Sequence, residues 1–439
     1  MSFFGPISPP GLDEASAPIF RRALRRAKIV GSFASVQVAV QIIGFFSGIL
    51  LIRAMDQREY AYFTIANTMQ GTLNVLADVG ISIGLVSIGG RVWQDRDRFG
   101  ELVRTALALR RKLGAIAILG VTPVMCFMLM KNGAPPLYAA ILVGAVLLGL
   151  LVQLPLGVFS VVPRLHSDIG RIQTIDITGS VARFVLLAAL LFLYLNAGVA
   201  LAVGAIALFI QYWMLRRYVG GVINLNTQEN PDDRAAISTL IRSQAASAVF
   251  YCIQGQITIF LISFFGTRAA SVAEVGALGR LAMIFTVLSN LLTNVFGPAF
   301  ARCHVARTLR WQYAAIVGGV AAFSLIVLIG AACFPDAFLF VLGRRYSHLQ
   351  RELLLMVAGS VLGAIVNTLW ALNASKAWVH GAWFSIPLTV ATQIALVPFT
   401  DFSSVSEVLI FNLISTIPNL LLNIVLSVRG FRRLPAESG

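Results

Sequence analysis

Apolar runs, each long enough to cross a bilayer, alternate with short polar loops along nearly the whole chain. A helix needs ~20 apolar residues to span a hydrocarbon core of ~30 Å, and no soluble fold repeats that length so often. The pattern predicts an all-α polytopic membrane protein of about twelve transmembrane helices, over 29–52, 59–89, 113–130, 136–161, 172–195, 198–215, 241–265, 274–300, 314–334, 353–373, 378–398 and 405–428. The stretch INLNTQENPDDRAAIS after the sixth helix is the one segment that reads as a linker. It divides the chain into a basic N-terminus (1–28), a six-helix lobe (29–220), a cytoplasmic linker (221–240), a second six-helix lobe (241–428) and a short cytoplasmic tail (429–439).

Basic residues set the orientation. Cytoplasmic loops of membrane proteins carry an excess of Lys and Arg. With the N-terminus inside, 25 of the 34 basic residues fall in cytoplasmic segments and 7 outside. Both termini are therefore expected in the cytoplasm, with an even number of spans. The run after FRRALRRAK is too long for a signal-peptide core and no small-residue cleavage site follows, so this basic cluster acts as a topology anchor. One outer loop, LGRRYSHLQRE, breaks the rule with three arginines. Either the spans near it are miscounted or the loop has a task of its own.

Two basic residues fall inside helices. Arg183 stands near the middle of the fifth and Arg280 two turns into the eighth. An ionisable side chain in lipid costs about 3 kcal/mol or more, so it faces a cavity or a partner. Two guanidinium groups on a shared cavity suit an anionic headgroup, whose phosphate oxygens they bind bidentately. The other reading pairs Arg183 with Asp176 and Arg280 with Glu274. The second helix carries Asn67, Gln70, Asn74 and Asp78 at spacings that share one helical face. Such a face lines a watery cavity or ties helices together by hydrogen bonds; Asp78, toward the cytoplasmic end, can equally pair with loop arginines. Asn290 on the eighth helix belongs with these amides, which suit sugar hydroxyls. Asp78, Glu274 and Asp176 are the candidates for ion coupling.

The chain also repeats itself. In each half a long apolar helix and a short outer loop lead to a Glu (Glu59, Glu274), then to a polar residue with a nearby Gly about twenty residues on (Asp78 with Gly80, Asn294 with Gly297). Such repeats place a transporter's site between two halves.

The run LIRAMDQREYAYFTIANTMQGTLNVLADVGISIG, with Glu59-Tyr60-Ala61-Tyr62 and Asp78-Val79-Gly80-Ile81, resembles the opening signature of the polysaccharide-transporter family. These are the O-antigen and exopolysaccharide repeat-unit flippases of the multidrug/oligosaccharidyl-lipid/polysaccharide exporter superfamily. EVGALGRLA, Pro298-Ala299 and VLGRRY are similar to later blocks, whereas Ala61 and Ala277 stand where the family favours Gly and Tyr. The resemblance implies a transporter that flips a polyprenyl-diphosphate-linked glycan to the outer leaflet by alternating access, with membrane lipids and other polysaccharide-assembly proteins as partners.

Composition narrows the field further. A net charge of +15 might suggest nucleic acid, but it is dispersed over many small loop clusters and forms no continuous basic face. Four cysteines without a CxxC pair and four scattered histidines predict neither a metal site nor a cofactor, and the chain is expected not to be an enzyme. A multidrug exporter would show acidic groups at mid-membrane, where this chain has arginines. A glycan polymerase or ligase would need a large outer loop with catalytic residues, and the outer loops here are short.

Overall fold

The structure is a computed structural model describing residues 19–191, 195–266, 268–285, 288, 300, 306–379 and 381–432, with the backbone alone for 19–35, 169, 306 and 382. Its helices are α1 (Ile19–Ala54), α2 (Gln57–Asp78), α3 (Ile81–Val92), α4 (Arg96–Lys131), α5 (Pro136–Phe159), α6 (Val161–Leu165), α7 (Ile169–Leu190) and α8 (Ala197–Val222) in the first lobe. The second lobe holds α9 (Pro231–Phe265), α10 (Ala269–Leu281), α11 (Ala306–Cys333), α12 (Pro335–Leu342), α13 (Gln350–Ser375), α14 (Ser385–Leu396) and α15 (Val405–Arg432). Nine of the described helices are long and apolar enough to cross a membrane, ten when α2 and α3 count as one bent span. Of the other two expected spans, the eleventh is the shorter α14 with its flanking turns, and the end of the eighth lies outside the described residues.

Helix ends depart from the hydropathy pattern where polar caps extend them. The third span starts at Arg96, not 113, because the Asp95 side chain accepts from the backbone N–H of Asp97 and Arg98. At 36 residues α4 is about 54 Å long, so its first turns project beyond the bilayer core. The seventh span likewise starts at Pro231, not 241: Asn230 caps Asp232 and Asp233, and Pro231 sits where no N–H is needed. Much of the expected linker is therefore helix. The second span is interrupted: Gly80, with φ of +71°, separates α2 from α3 and the two axes differ by 45°. A side chain is disfavoured at that φ.

The repeat read from the sequence has a packing counterpart. In the first lobe the fourth and sixth spans (α5, α8) make the most extensive helix pair, and in the second lobe the tenth and twelfth (α13, α15) do so. Glu59 accepts from the Tyr138 hydroxyl at 2.6 Å and from the Ala197 N–H, at the start of α8, at 2.9 Å. Glu274 instead meets His348 at 3.4 Å, just before α13.

Ile19 and Arg432 mark the terminal end of the bundle; the α1–α2, α4–α5, α9–α10 and α12–α13 connections lie at the far end. One buried apolar cluster joins both lobes at the far end, through Tyr60, Phe63, Leu278 and Tyr346 among others. Toward the terminal end a second cluster is built from first-lobe helices, joined from the second lobe by Ile237 and Ile241 of α9. Among the described residues the lobes are thus joined at the far end, and toward the terminal end they meet where α9 runs along α2, α3 and α4.

Candidate functional site

The second span organises the interior. α2 packs on α4, α5 and α8 of its own lobe and on α9 and α10 of the other. A helix so surrounded should have no exposed face, yet Asn67 and Gly71 are exposed and Val75 is 46% exposed. These three stand four residues apart and so share one face. Among the described residues nothing covers that face.

Arg183, on α7, and Arg280, on α10, come from different lobes and lie within each other's field. Arg280, on α10, reaches across to the first lobe: a Cβ added at Gly48 of α1 would meet its Cδ at 3.1 Å and its Nε at 3.2 Å. Only a residue without a side chain lets the guanidinium pass so near the α1 backbone. Tyr60 of α2 lies within the field of the same guanidinium, whose Nη1 points to Met283 Sδ at 3.9 Å. Arg183 is close enough to Arg280 for the two charges to repel, and its Nε is buried without a hydrogen-bond partner. Neither makes an ion pair among the described residues. Asp176 takes a long hydrogen bond from Gln37 Nε2 (3.4 Å), not from Arg183, and Glu274 sits with His348 at the far end, not with Arg280. α7 ends at Leu190 rather than 195, so Arg183 stands about 10 Å from the far end of its helix and Arg280 about 16 Å from the far end of α10.

The polar stripe of α2 divides between two tasks. Asn67 stands on the uncovered face, while Gln70 packs on Gly149 of α5. Asn74 and Asp78 turn into the first lobe and meet a residue the sequence placed in a loop. Arg110, 3% exposed on α4, donates Nη2 to Asn74 Oδ1 (3.1 Å) and stands with Nη1 3.3 Å from Asp78 Oδ1. Ser82 on α3 donates to both Asp78 oxygens at 2.8 Å, so Asp78 binds both sides of the Gly80 break. Arg110, Asn74, Gln153, Asp176 and Gln211 line a cavity of about 190 Å³ enclosed by first-lobe helices. Arg110 escaped notice because helix 3 was expected to start after it; the Asp95 cap was the available signal. Asn290 lies outside the described residues.

The far end is closed by reciprocal bonds between the lobes. Arg53 of α1 donates Nε to Val341 O (3.0 Å) and Nη2 to Phe340 O (2.6 Å) at the end of α12. Arg345 donates Nη1 to Met55 O at 2.7 Å. Lys131 of α4 reaches the Phe264 carbonyl of α9. Tyr346 is buried beneath, and burial pushes its phenol above the ordinary value. At the terminal end Arg98 forks onto Asp233 of α9, with bonds of 2.5 and 2.7 Å.

This all-α, two-lobed architecture is the fold of MATE transporters of the MOP superfamily. The inward-facing conformation of a multidrug resistance MATE transporter aligns with a TM-score of 0.65 and 13% identity, over 92% of this chain and 100% of that one. The eukaryotic MATE transporter AtDTX14 aligns at 0.58 with 11% identity, over 94% and 99%. A MOP superfamily transporter from Pyrococcus furiosus, described as having a binding pocket of reverse polarity that suggests a different function, aligns at 0.56 with 15% identity, over 94% and 96%. No family model and no curated protein matches the sequence.

Proposed function

We propose that the chain is an alternating-access transporter that flips a polyprenyl-diphosphate-linked oligosaccharide across the bacterial inner membrane. The observation that carries this reading is the pair Arg183 and Arg280: two guanidinium groups from different lobes, within each other's field, with no acid beside either. Like charges held together in a low-dielectric space repel, and an anion between them relieves the repulsion while gaining charge-assisted hydrogen bonds. A diphosphate has the charge and the oxygens for two forks. A cationic drug has neither, and the solved MOP transporter described with reversed pocket polarity gives this fold a precedent for a passenger of another kind.

Asn67 adds an amide for sugar hydroxyls on the wall nearby, and the lipid tail stays in the bilayer. With the termini in the cytoplasm, the terminal end is the entrance and the joined far end is the closed exit. Of the acidic candidates, Asp176 is the better coupling group: Asp78 is already neutralised by Arg110, and Glu274 sits at the far-end seam.

The test is retention of a polyprenyl-diphosphate glycan by the protein in nanodiscs, with glycan flipping in vesicles as the functional readout. Arg183→Ala and Arg280→Ala are each expected to lower both at least about tenfold, as loss of one charged hydrogen-bond donor does, and to leave thermal unfolding unchanged. Wild-type flipping by the double variant sinks the reading.

A further inference from the structure

The arginine-rich outer loop has a place in the fold. It follows α12 and forms a 3-10 turn, Arg344–Tyr346, at the far end of the bundle, on the same side as the α1–α2 loop. With the termini in the cytoplasm this end is the outer one, and the loop's three arginines run against the charge rule. Its arginines meet Arg53 from the other lobe. Arg53, Arg344 and Arg345 line one open cavity of about 340 Å³, with Phe340 and Tyr346 on its walls.

The charge balance of this cavity is one-sided. Three arginines line it, and among the described residues the one acid paired with any of them is Asp56, 3.9 Å from Arg345 with both side chains mostly exposed. An ion pair so long and so wet contributes little. Arg53 and Arg345 are held in place by backbone carbonyls across the seam, which leaves donors on each guanidinium unused. The Arg344 carbonyl accepts from Ser347, but its guanidinium makes no hydrogen bond or ion pair among the described residues. Two arginines are thus pre-positioned by the fold and a third is free to close over whatever binds.

We propose that this seam is a second oxyanion site, distinct from the Arg183–Arg280 pair, that takes a phosphate- or diphosphate-bearing group at the far surface. Forked guanidinium groups bind phosphate oxygens bidentately, and a diphosphate presents enough oxygens to engage all three. Because Arg53 comes from one lobe and Arg344 and Arg345 from the other, a bound oxyanion touches both halves. Its affinity therefore differs between states in which the far end is closed and open, and by linkage its binding shifts that equilibrium. The proposal does not depend on the central arginines being the transport site.

The experiment uses the full chain carrying Arg183→Ala and Arg280→Ala, purified in phosphate-free detergent, with inorganic pyrophosphate as the probe in titration calorimetry. One pyrophosphate per chain is expected to remain bound. Adding Arg344→Ala should weaken it about tenfold, the worth of one charged donor, and Arg344→Lys should restore part of the loss. Arg344 holds nothing else in place, so neither variant should disturb folding. Absence of residual binding, or binding indifferent to Arg344, overturns the proposal, whatever the central variants do to glycan transport. Repeating the titration in nanodiscs with and without phosphatidylglycerol distinguishes the two sources. Displacement of pyrophosphate by that lipid assigns the site to a headgroup phosphate; persistence of binding assigns it to a soluble or passenger-borne one.

Discussion

Arg110 and Arg183 are both first-lobe arginines with a buried, unpartnered Nε, and they differ in what faces the rest of the guanidinium. Arg110 has a carboxylate and an amide from α2 within hydrogen-bonding range, and together these groups close the break between α2 and α3. Arg183 has another cation nearby and no acid. A buried charge with a built-in counter-ion belongs to the scaffold, because removing either partner strands the other. A buried charge without one is tolerable only if something outside the chain supplies it. The difference sorts arginines that hold the lobe together from arginines that await a passenger.

The most damaging way to probe this contrast is Arg110→Ala. It leaves Asp78 beside an emptied, partly dry cavity, and breaking a buried pair from one side costs about 3–5 kcal/mol. The expected outcome is a large fall in melting temperature and in the amount of folded protein. Adding Asp78→Asn should recover much of the loss, since the stranded charge is gone. Arg183→Ala in the same assay should melt like wild type. If instead Arg110→Ala is benign and Arg183→Ala unfolds the protein, the sorting of the two is inverted.

The contrast also shows what hydropathy reveals and what it hides. Apolar runs fixed the spans, the lobes and the two arginines that interrupt them, because an ion within a long apolar stretch stands out against its neighbours. Arg110 did not stand out: it sits in RRK, beside two other cations at the edge of an apolar run, and reads as topogenic charge. What hid it was the length of α4, set by an Asp95 cap that carries no hydrophobic signal. The Pro231 start of α9 was hidden in the same way, since NPDD reads as linker until Asn230 is seen capping a helix. Asp78 was expected to meet a loop arginine, and Arg110 is that residue; the partners of Glu274 and Asp176 were out of reach for another reason, since each is matched from a distant part of the chain and lateral placement leaves no trace in periodicity.

A milder probe uses a third guanidinium, at the terminal end. Arg98 forks onto Asp233, whose side chain is 4% exposed, and ties α9 to the first lobe. Here the arginine, not the acid, is the wetter partner (31% exposed), so its removal opens Asp233 to water and Arg98→Ala should cost about 1.5–3 kcal/mol, the range for a hydrogen bond to a charged group. Melting temperature should fall by less than for Arg110→Ala, while flipping per folded molecule stays near that of wild type. A variant that is stable but no longer transports would show that this pair belongs to the moving parts and not to the scaffold.

The finest probe leaves every charge in place and moves one of them. Gly48 allows the Arg280 side chain to lie against α1, and a methyl group there would meet its Cδ and Nε at 3.1–3.2 Å. That is a few tenths of an ångström too close, and the neighbour is a flexible side chain, so Gly48→Ala should change stability by less than about 1 kcal/mol; replacing glycine within a helix also favours the fold by roughly 0.5–1 kcal/mol. The guanidinium must nevertheless shift away from α1, and its geometry toward Arg183 changes with it. Bidentate recognition depends on that geometry, so affinity for the diphosphate-linked glycan should fall several-fold while melting temperature holds or rises slightly. A drop in both together would mean that Gly48 matters for helix packing alone, and that the placement of Arg280 is a by-product of the α1–α10 contact rather than its purpose.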